Sequence, residues 1–120
     1  MNLFITYASD DRSVADELAV RLRTEGHTVF MDKDNLPEAE GYDARIREAI
    51  ADCDLYVFLI SPNSVKPGRY TLTEMKFARE QFPNPQGRVL PVMIQPTPFR
   101  DIPAYLGAVT VLQPEGNTVA

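Results

Sequence analysis

Apolar residues follow two different spacings along this chain. Four short runs, "LFITYA" (3–8), "TVFMD" (28–32), "LYVFLIS" (55–61) and "RVLPVMI" (88–94), are dense in branched and aromatic side chains, which is the signature of strands. Between them apolar positions return every three or four residues, as one face of a helix requires. In "SDDRSVADELAVRLRTEGH" (9–27), Val14, Leu18 and Leu22 mark an inward face. Ser9 or Asp10 can cap its start, Asp10 and Asp11 suit the positive end of the helix dipole, and Gly26 can end it. "YDARIREAIADCD" (42–54) predicts a second helix, with Ile46 and Ile50 inward and Asp43 paired to Arg47 on the outside. "GRYTLTEMKFAREQF" (68–82) predicts a third, with Leu72, Met75 and Phe82 inward.

The third run is apolar throughout, as suits a central parallel strand covered on both faces. Pro91 removes one ladder donor from the fourth run, so that strand belongs at an edge or carries a bulge. "KDNLPEAEGYD" (33–43) and "PNSVKPGRY" (62–70) are broken by Pro and Gly and read as loops. After the proline-rich "QPTPFRDIPAY" (95–105), "AVTVL" (108–112) predicts a short fifth strand. The order of elements defines an α/β protein: a flavodoxin-like three-layer sandwich with a central, mostly parallel five-stranded sheet and helices on both faces.

Composition narrows the function classes. A length of 120 residues suits one domain with one core. With 44% hydrophobic and 24% charged residues, neither disorder nor a membrane span is expected, and "LYVFLI" is too short to cross a bilayer. The start "MNLFITYASDD" lacks the features of a signal peptide, and a single cysteine, Cys53, allows no internal disulfide, so a cytoplasmic location is expected. A net charge of −5 offers no basic footprint for nucleic acid. One Cys and one His far apart give almost nothing from which to build a zinc site or a Cys-His nucleophile, so no metal is expected.

In open parallel sheets, ligands bind beyond the carboxyl ends of the strands. That rule selects Tyr7, Ala8 and Ser9 after the first strand, Asp32 and its loop after the second, and Ser61 after the third. Ser9, Asp32 and Ser61 serve equally well as caps and turn formers. Tyr70 and Glu74 join them because their helix starts just after the third loop. A helix glutamate is ordinarily a solvated charge, here paired with Lys76 or Arg79. Neither a G-x-G-x-x-G fingerprint nor a P-loop is present. A phosphorylated receiver domain would need an acceptor Asp where Ser61 stands and a Lys after the fifth strand, and no Lys follows residue 76.

"FITYASDD" (4–11) followed by "GHTVFMDKDNLPEAEGYDARIREAIADCDLYVFLISPNS" (26–64) resembles the Toll/interleukin receptor (TIR) domain family, in the style of its bacterial members. The likeness runs from Leu3 to about Leu112 and sets the domain at 1–114, with 115–120 a tail or the start of a linker. The resemblance implies one of two activities. One branch of the family cleaves NAD+ at the nicotinamide bond, using a glutamate on the helix after strand three, a turn after an aromatic residue. The other branch is a non-enzymatic scaffold. Tyr70-Thr-Leu-Thr-Glu74 fits the aromatic-x-x-x-Glu pattern, with Tyr where Trp is common.

By that resemblance Glu74 is the catalytic residue, with NAD+ as substrate and no cofactor. The products are nicotinamide and ADP-ribose or a cyclic ADP-ribose. Tyr7, Ala8, Ser9, Asp32, Lys33, Ser61 and Tyr70 flank the substrate, and Arg12, Lys33 and Arg69 are alternatives for the pyrophosphate. The loop carrying Leu36, Pro37 and Gly41 is implied to contact other TIR domains. Self-association, a fused or neighbouring sensor module and a role in bacterial anti-phage defence are expected, with neither nucleic acid nor membrane contacted. One carboxylate can suffice for this chemistry. Nicotinamide leaves as a neutral pyridine and needs no general acid, so a glutamate need only stabilise charge growing on the ribose.

Overall fold

The computed structural model describes residues 1–31 and 41–113. Asp32, Lys33, Leu36 and Pro37 lie outside the described residues. Strands β1 (Asn2–Thr6), β2 (Thr28–Met31), β3 (Leu55–Ile60) and β4 (Val89–Met93) form one parallel sheet in the order β2-β1-β3-β4. Helix α1 (Arg12–Thr24), preceded by a 3-10 turn at Ser9–Asp11, covers one face. Helices α2 (Tyr42–Asp52) and α3 (Tyr70–Gln81) and the short α4 (Ala104–Gly107) pack on the other. The connection changes face between the first crossover and the second, so the topological switch point lies between β1 and β3.

The five-stranded expectation is corrected to four strands among the described residues. The segment at 108–112 touches the sheet through one bridge: Leu112 N–H donates to the Pro91 carbonyl at 2.9 Å, and Met93 N–H donates to the Leu112 carbonyl at 2.8 Å. The next outward donor along β4 would be the amide of residue 91, and proline has none, so the outer ladder stops there. The same geometry explains why Pro91 is tolerated. It sits on an edge strand with its nitrogen turned away from β3.

Alternation decides which side chain enters which layer. Leu3, Ile5, Val57, Leu59 and Val92 face α1, and Phe4, Tyr56, Phe58 and Ile60 face α2 and α3. Each large apolar side chain fully buried this way contributes about 1.5–3 kcal/mol. In α1 the deepest residues are Ala15 and Ala19, at 0% and 1% exposure, with Val14, Leu18 and Leu22 flanking them half-buried. The helix therefore lies close to the sheet on its small residues. Gly26, at φ 95°, ends it, with the His27 N–H returning to the Leu22 carbonyl at 3.1 Å.

On the opposite face Ile46 and Ile50 point inward as expected, together with Tyr42, which extends their four-residue spacing by one turn. The Asp43–Arg47 pair does not form. Arg47 instead lies 4.3 Å over the Phe77 ring and 3.7 Å from Glu80, tying α2 to α3. The Tyr105 hydroxyl donates to the Phe82 carbonyl at 2.6 Å and satisfies the carboxyl end of α3.

Candidate functional site

Helix α3 starts where the β3 loop delivers it, at Arg69, and its inward face is partly polar: Thr71, Glu74, Met75, Phe77 and Ala78 are buried. Leu72, expected inside, is only half-buried. Thr71, Glu74 and Ala78 fall on one side of the helix, three or four residues apart, so the side that carries Ala78 into the core also carries the carboxylate. Glu74 is 3% exposed. It is not a solvated charge beside Lys76 and Arg79, both of which are exposed. Below it the fully buried Tyr56 hydroxyl shares a hydrogen bond of 2.7 Å with Thr6 Oγ1. Burial first, and the Glu74 charge second, push the Tyr56 phenol well above the ordinary range.

Tyr70 stands one turn earlier, half-buried, with its ring edge-on to Tyr42 at 5.5 Å between centroids and its hydroxyl donating to the Asp43 carboxylate. Two helices thus meet at the aromatic residue preceding Glu74. Gly41, exposed and at φ 77°, leads into α2 just before this contact. Ahead of Tyr70, Arg69 is held by an ion pair with Asp10, which keeps the Asp10 carboxyl below its usual range. Arg12 lies 3.8 Å from Asp16, an exposed pair with little energy of its own.

The strand ends are closed by a buried polar network. Asp11, 3% exposed, accepts from Ser61 Oγ at 2.5 Å and from Gln95 Nε2 at 2.8 Å. Ser61 is fully buried; its N–H donates to Ser64 Oγ at 2.9 Å, and its Oγ accepts from the Ser64 N–H at 3.1 Å. The Thr71 hydroxyl donates to the Ser64 carbonyl at 2.6 Å. Of the other residues singled out near the first strand, Tyr7 packs toward the α1 side, Ala8 is buried with its carbonyl accepting from Asp11 N–H at 2.8 Å, and Ser9 is exposed.

Several participants were not anticipated, among them Tyr42, Asp11, Ser64, Thr71 and Gln95. Tyr42 could have been found, because it continues the Ile46 and Ile50 stripe. Nothing in the sequence separates Asp11, turned inward, from Asp10, turned outward, and Gln95 sits in a segment readable only as proline-rich loop. A cleft of about 390 Å3 lies toward the amino ends of the strands, lined by Asn2, Thr28, Phe30, Arg45, Asp52 and Cys53, and holds none of the candidate residues. Its size alone gives it no chemistry. Among the described residues no cluster of three or more His, Cys, Asp or Glu could hold a metal ion, and no helix is long and apolar enough to cross a membrane.

A parallel sheet with a face change between β1 and β3, and a buried carboxylate on the helix after β3, defines an α/β domain whose candidate residues gather toward the carboxyl ends of its strands. The TIR domain family model matches residues 3–115, and the chain belongs to that family. The fold is similar to the TIR domain of the Toll-related receptor TRR-2 from Hydra magnipapillata, with TM-score 0.70 and 22% identity over 92% of this chain and 82% of that one. It is similar to the TIR domains of the activated Roq1 resistosome that recognises the pathogen effector XopQ, with TM-score 0.64 and 22% identity over 77% of this chain and 56% of that one. It is also similar to the CMP N-glycosidase BcmB of Clostridium botulinum, with TM-score 0.59 and 17% identity over 97% of this chain and 91% of that one. No curated protein matches the sequence significantly.

Proposed function

We propose that this TIR domain is an NAD+ glycohydrolase that cleaves the bond between nicotinamide and ribose, with Glu74 as the catalytic carboxylate. The observation that carries the reading is the burial of Glu74, at 3% exposure, one turn along α3 from Tyr70. Burying a carboxylate costs several kcal/mol unless it is compensated, so a surface ion pair would not select this position. A site that must stabilise growing positive charge would. In a low-dielectric setting the carboxylate field on an oxocarbenium-like ribose is far stronger than in water, and it grows as nicotinamide departs. The C1′–N bond breaks with its electron pair going to the pyridine nitrogen, which becomes neutral. Water, or a nucleophilic atom of the adenine ring, then attacks C1′, giving ADP-ribose or a cyclic product.

Tyr70 provides an aromatic edge for the nicotinamide or its ribose, contributing about 0.5–1.5 kcal/mol. Arg69, already beside Asp10, and Arg12 are two described cations near the first-strand turn, and either can meet the pyrophosphate. Among proteins of similar fold, one is a CMP N-glycosidase, which acts on the same class of bond. That is an analogy of fold and lends no residue role. The resistosome neighbour, by its own description an assembly, suits activation by self-association through the segment with Leu36, Pro37 and Gly41. A cytoplasmic effector of bacterial anti-phage defence, controlled by a fused or neighbouring sensor, is the setting this activity fits.

The test is nicotinamide release from NAD+ by the chain tethered on a multivalent scaffold, beside Glu74→Gln. Release by the parent that vanishes in the variant is the expected result. A folded, assembled chain that releases none leaves the domain an interaction module and withdraws the enzymatic reading.

A further inference from the structure

We infer that Asp11 is a positioning residue for this site: its buried carboxylate fixes the start of α3, and with it Tyr70 and Glu74, against the ends of β1, β3 and β4. The inference rests on the reading of Glu74 as catalytic, and its test separates the two. Asp11 follows β1, Ser61 follows β3 and Gln95 follows β4, so two donors from neighbouring strand ends converge on one side chain from the third. Asp10, the preceding residue, reaches α3 from outside through Arg69. Asp11 reaches it from inside. From Ser61 the hydrogen bonds run to Ser64, and from the Ser64 carbonyl to Thr71, which adjoins Tyr70 and lies three residues before Glu74. Asp11, Ser61, Ser64 and Thr71 are 3%, 0%, 0% and 5% exposed, so water cannot substitute for the links among these four without rearrangement, whereas Gln95 joins them from an exposed position.

The chemistry of the junction asks for a carboxylate. Ser61 and Gln95 both donate, and only an acceptor on both oxygens answers two converging donors with full charge-assisted strength. Asparagine would turn an NH2 toward Gln95, which could meet it only by turning its own amide over, and in either case the charge-assisted strength is lost. The network adds little to the apolar core, which the two faces of the sheet already supply. Its consequence is orientation. A displacement of about 1 Å at a reacting group can cost on the order of 100-fold in rate, so the position of α3 is worth a buried charge 50 residues away in sequence from its partner Ser61.

The experiment compares the parent, Asp11→Asn and the double variant Asp11→Asn with Gln95→Glu, each tethered as above and each shown folded by near-UV circular dichroism. In the double variant the asparagine oxygen accepts from Ser61 and its NH2 donates to the carboxylate introduced at position 95, so the junction and its charge are restored. Asp11→Asn is expected to lose about 10- to 100-fold in kcat with KM changed less than about threefold, and the double variant to recover most of the loss. Amide hydrogen exchange at Leu72 to Met75 is read on the same proteins. It is expected to quicken about tenfold in Asp11→Asn and to return in the double variant. If Asp11→Asn does not fold, Gln95→Ala, which removes one donor from Asp11 and leaves the Ser61 and Ser64 links intact, is read the same way. Unchanged exchange in the first turn of α3 overturns the inference, as does unchanged kcat in an active enzyme. A parent that never releases nicotinamide defeats the enzymatic reading alone, because exchange still decides the positioning role.

Discussion

The two faces of the sheet are built from the same alternating strands, yet they are filled differently. Toward α1 the layer is aliphatic: Leu3, Ile5, Val57 and Leu59 meet Ala15 and Ala19, with Tyr7 the one aromatic ring among the described residues of that cluster, at the strand end. Toward α2 and α3 the layer holds Tyr42, Tyr56, Tyr105 and Cys53 among its apolar residues, and α3 adds Thr71 and Glu74. A helix needed only for its core face can rest on small apolar residues and keep every charge outside, as α1 does. Helix α3 accepts a buried carboxylate and an array of hydroxyls, a costlier solution that stability alone does not favour. The asymmetry separates the face that holds the domain together from the face proposed to act.

Exchanging the character of the two faces should have the largest effects. Ala19→Glu would place an uncompensated carboxylate against the aliphatic layer. It is expected to cost about 3–5 kcal/mol, enough to unfold most of the population, as read by urea titration. Glu74→Gln keeps shape and removes charge from the other face. Stability should change by less than about 1.5 kcal/mol, while nicotinamide release falls about 100-fold or more. If both variants lose comparable stability, the two faces are not different in kind. Next in size is Ala15→Leu, which overpacks the close seam of α1. A loss of about 1–3 kcal/mol is expected, with kcat per folded molecule unchanged. Tyr70→Phe is smaller again. Losing the hydroxyl bond to Asp43 should cost about 0.5–1.5 kcal/mol in thermal unfolding, and a larger fall in turnover than in stability would tie that bond to the site.

How much of this the sequence carried depends on the kind of signal. Strands β1, β2, β3 and β4 and all three long helices announced themselves in the sequence, because strand composition and four-residue recurrence are properties of single segments. The fifth strand did not survive. "AVTVL" has strand composition, but pairing depends on what the neighbouring edge offers, and Pro91 has no amide to extend the outer ladder. The inward stripe of α1 was displaced by one position, since Ala15 and Ala19 carry too little apolar surface to dominate a pattern and become deepest only because small residues permit close approach. At the site, the Tyr70 and Glu74 spacing was legible, whereas the burial of Glu74 was not. The asymmetry between Asp10 and Asp11 was out of reach, because the partners that draw Asp11 inward lie 50 and 84 residues away in sequence.

The weakest effect expected is a pH dependence that also belongs to one face. Burial raises the Cys53 thiol from 9.0 to about 11, and burial likewise raises the phenols of Tyr56 and Tyr105. All three lie in the layer toward α2 and α3. For an acid whose folded pKa is raised, the unfolded chain loses its proton first, so the folded state binds more protons in the window between the two values. Its contribution to stability is therefore complete below about pH 9 and declines as pH rises toward about 11. Between pH 9 and 10 the thiol dominates, because the two phenols start from a higher ordinary value. Cys53→Ala should flatten the fall in unfolding free energy between pH 9 and 10, whatever it does to the value at pH 7, whereas Ala15→Leu on the other face should leave that slope as it is. Equal slopes in all three proteins would mean that the thiol titrates near its ordinary value, and the alkaline sensitivity would then have to be assigned elsewhere.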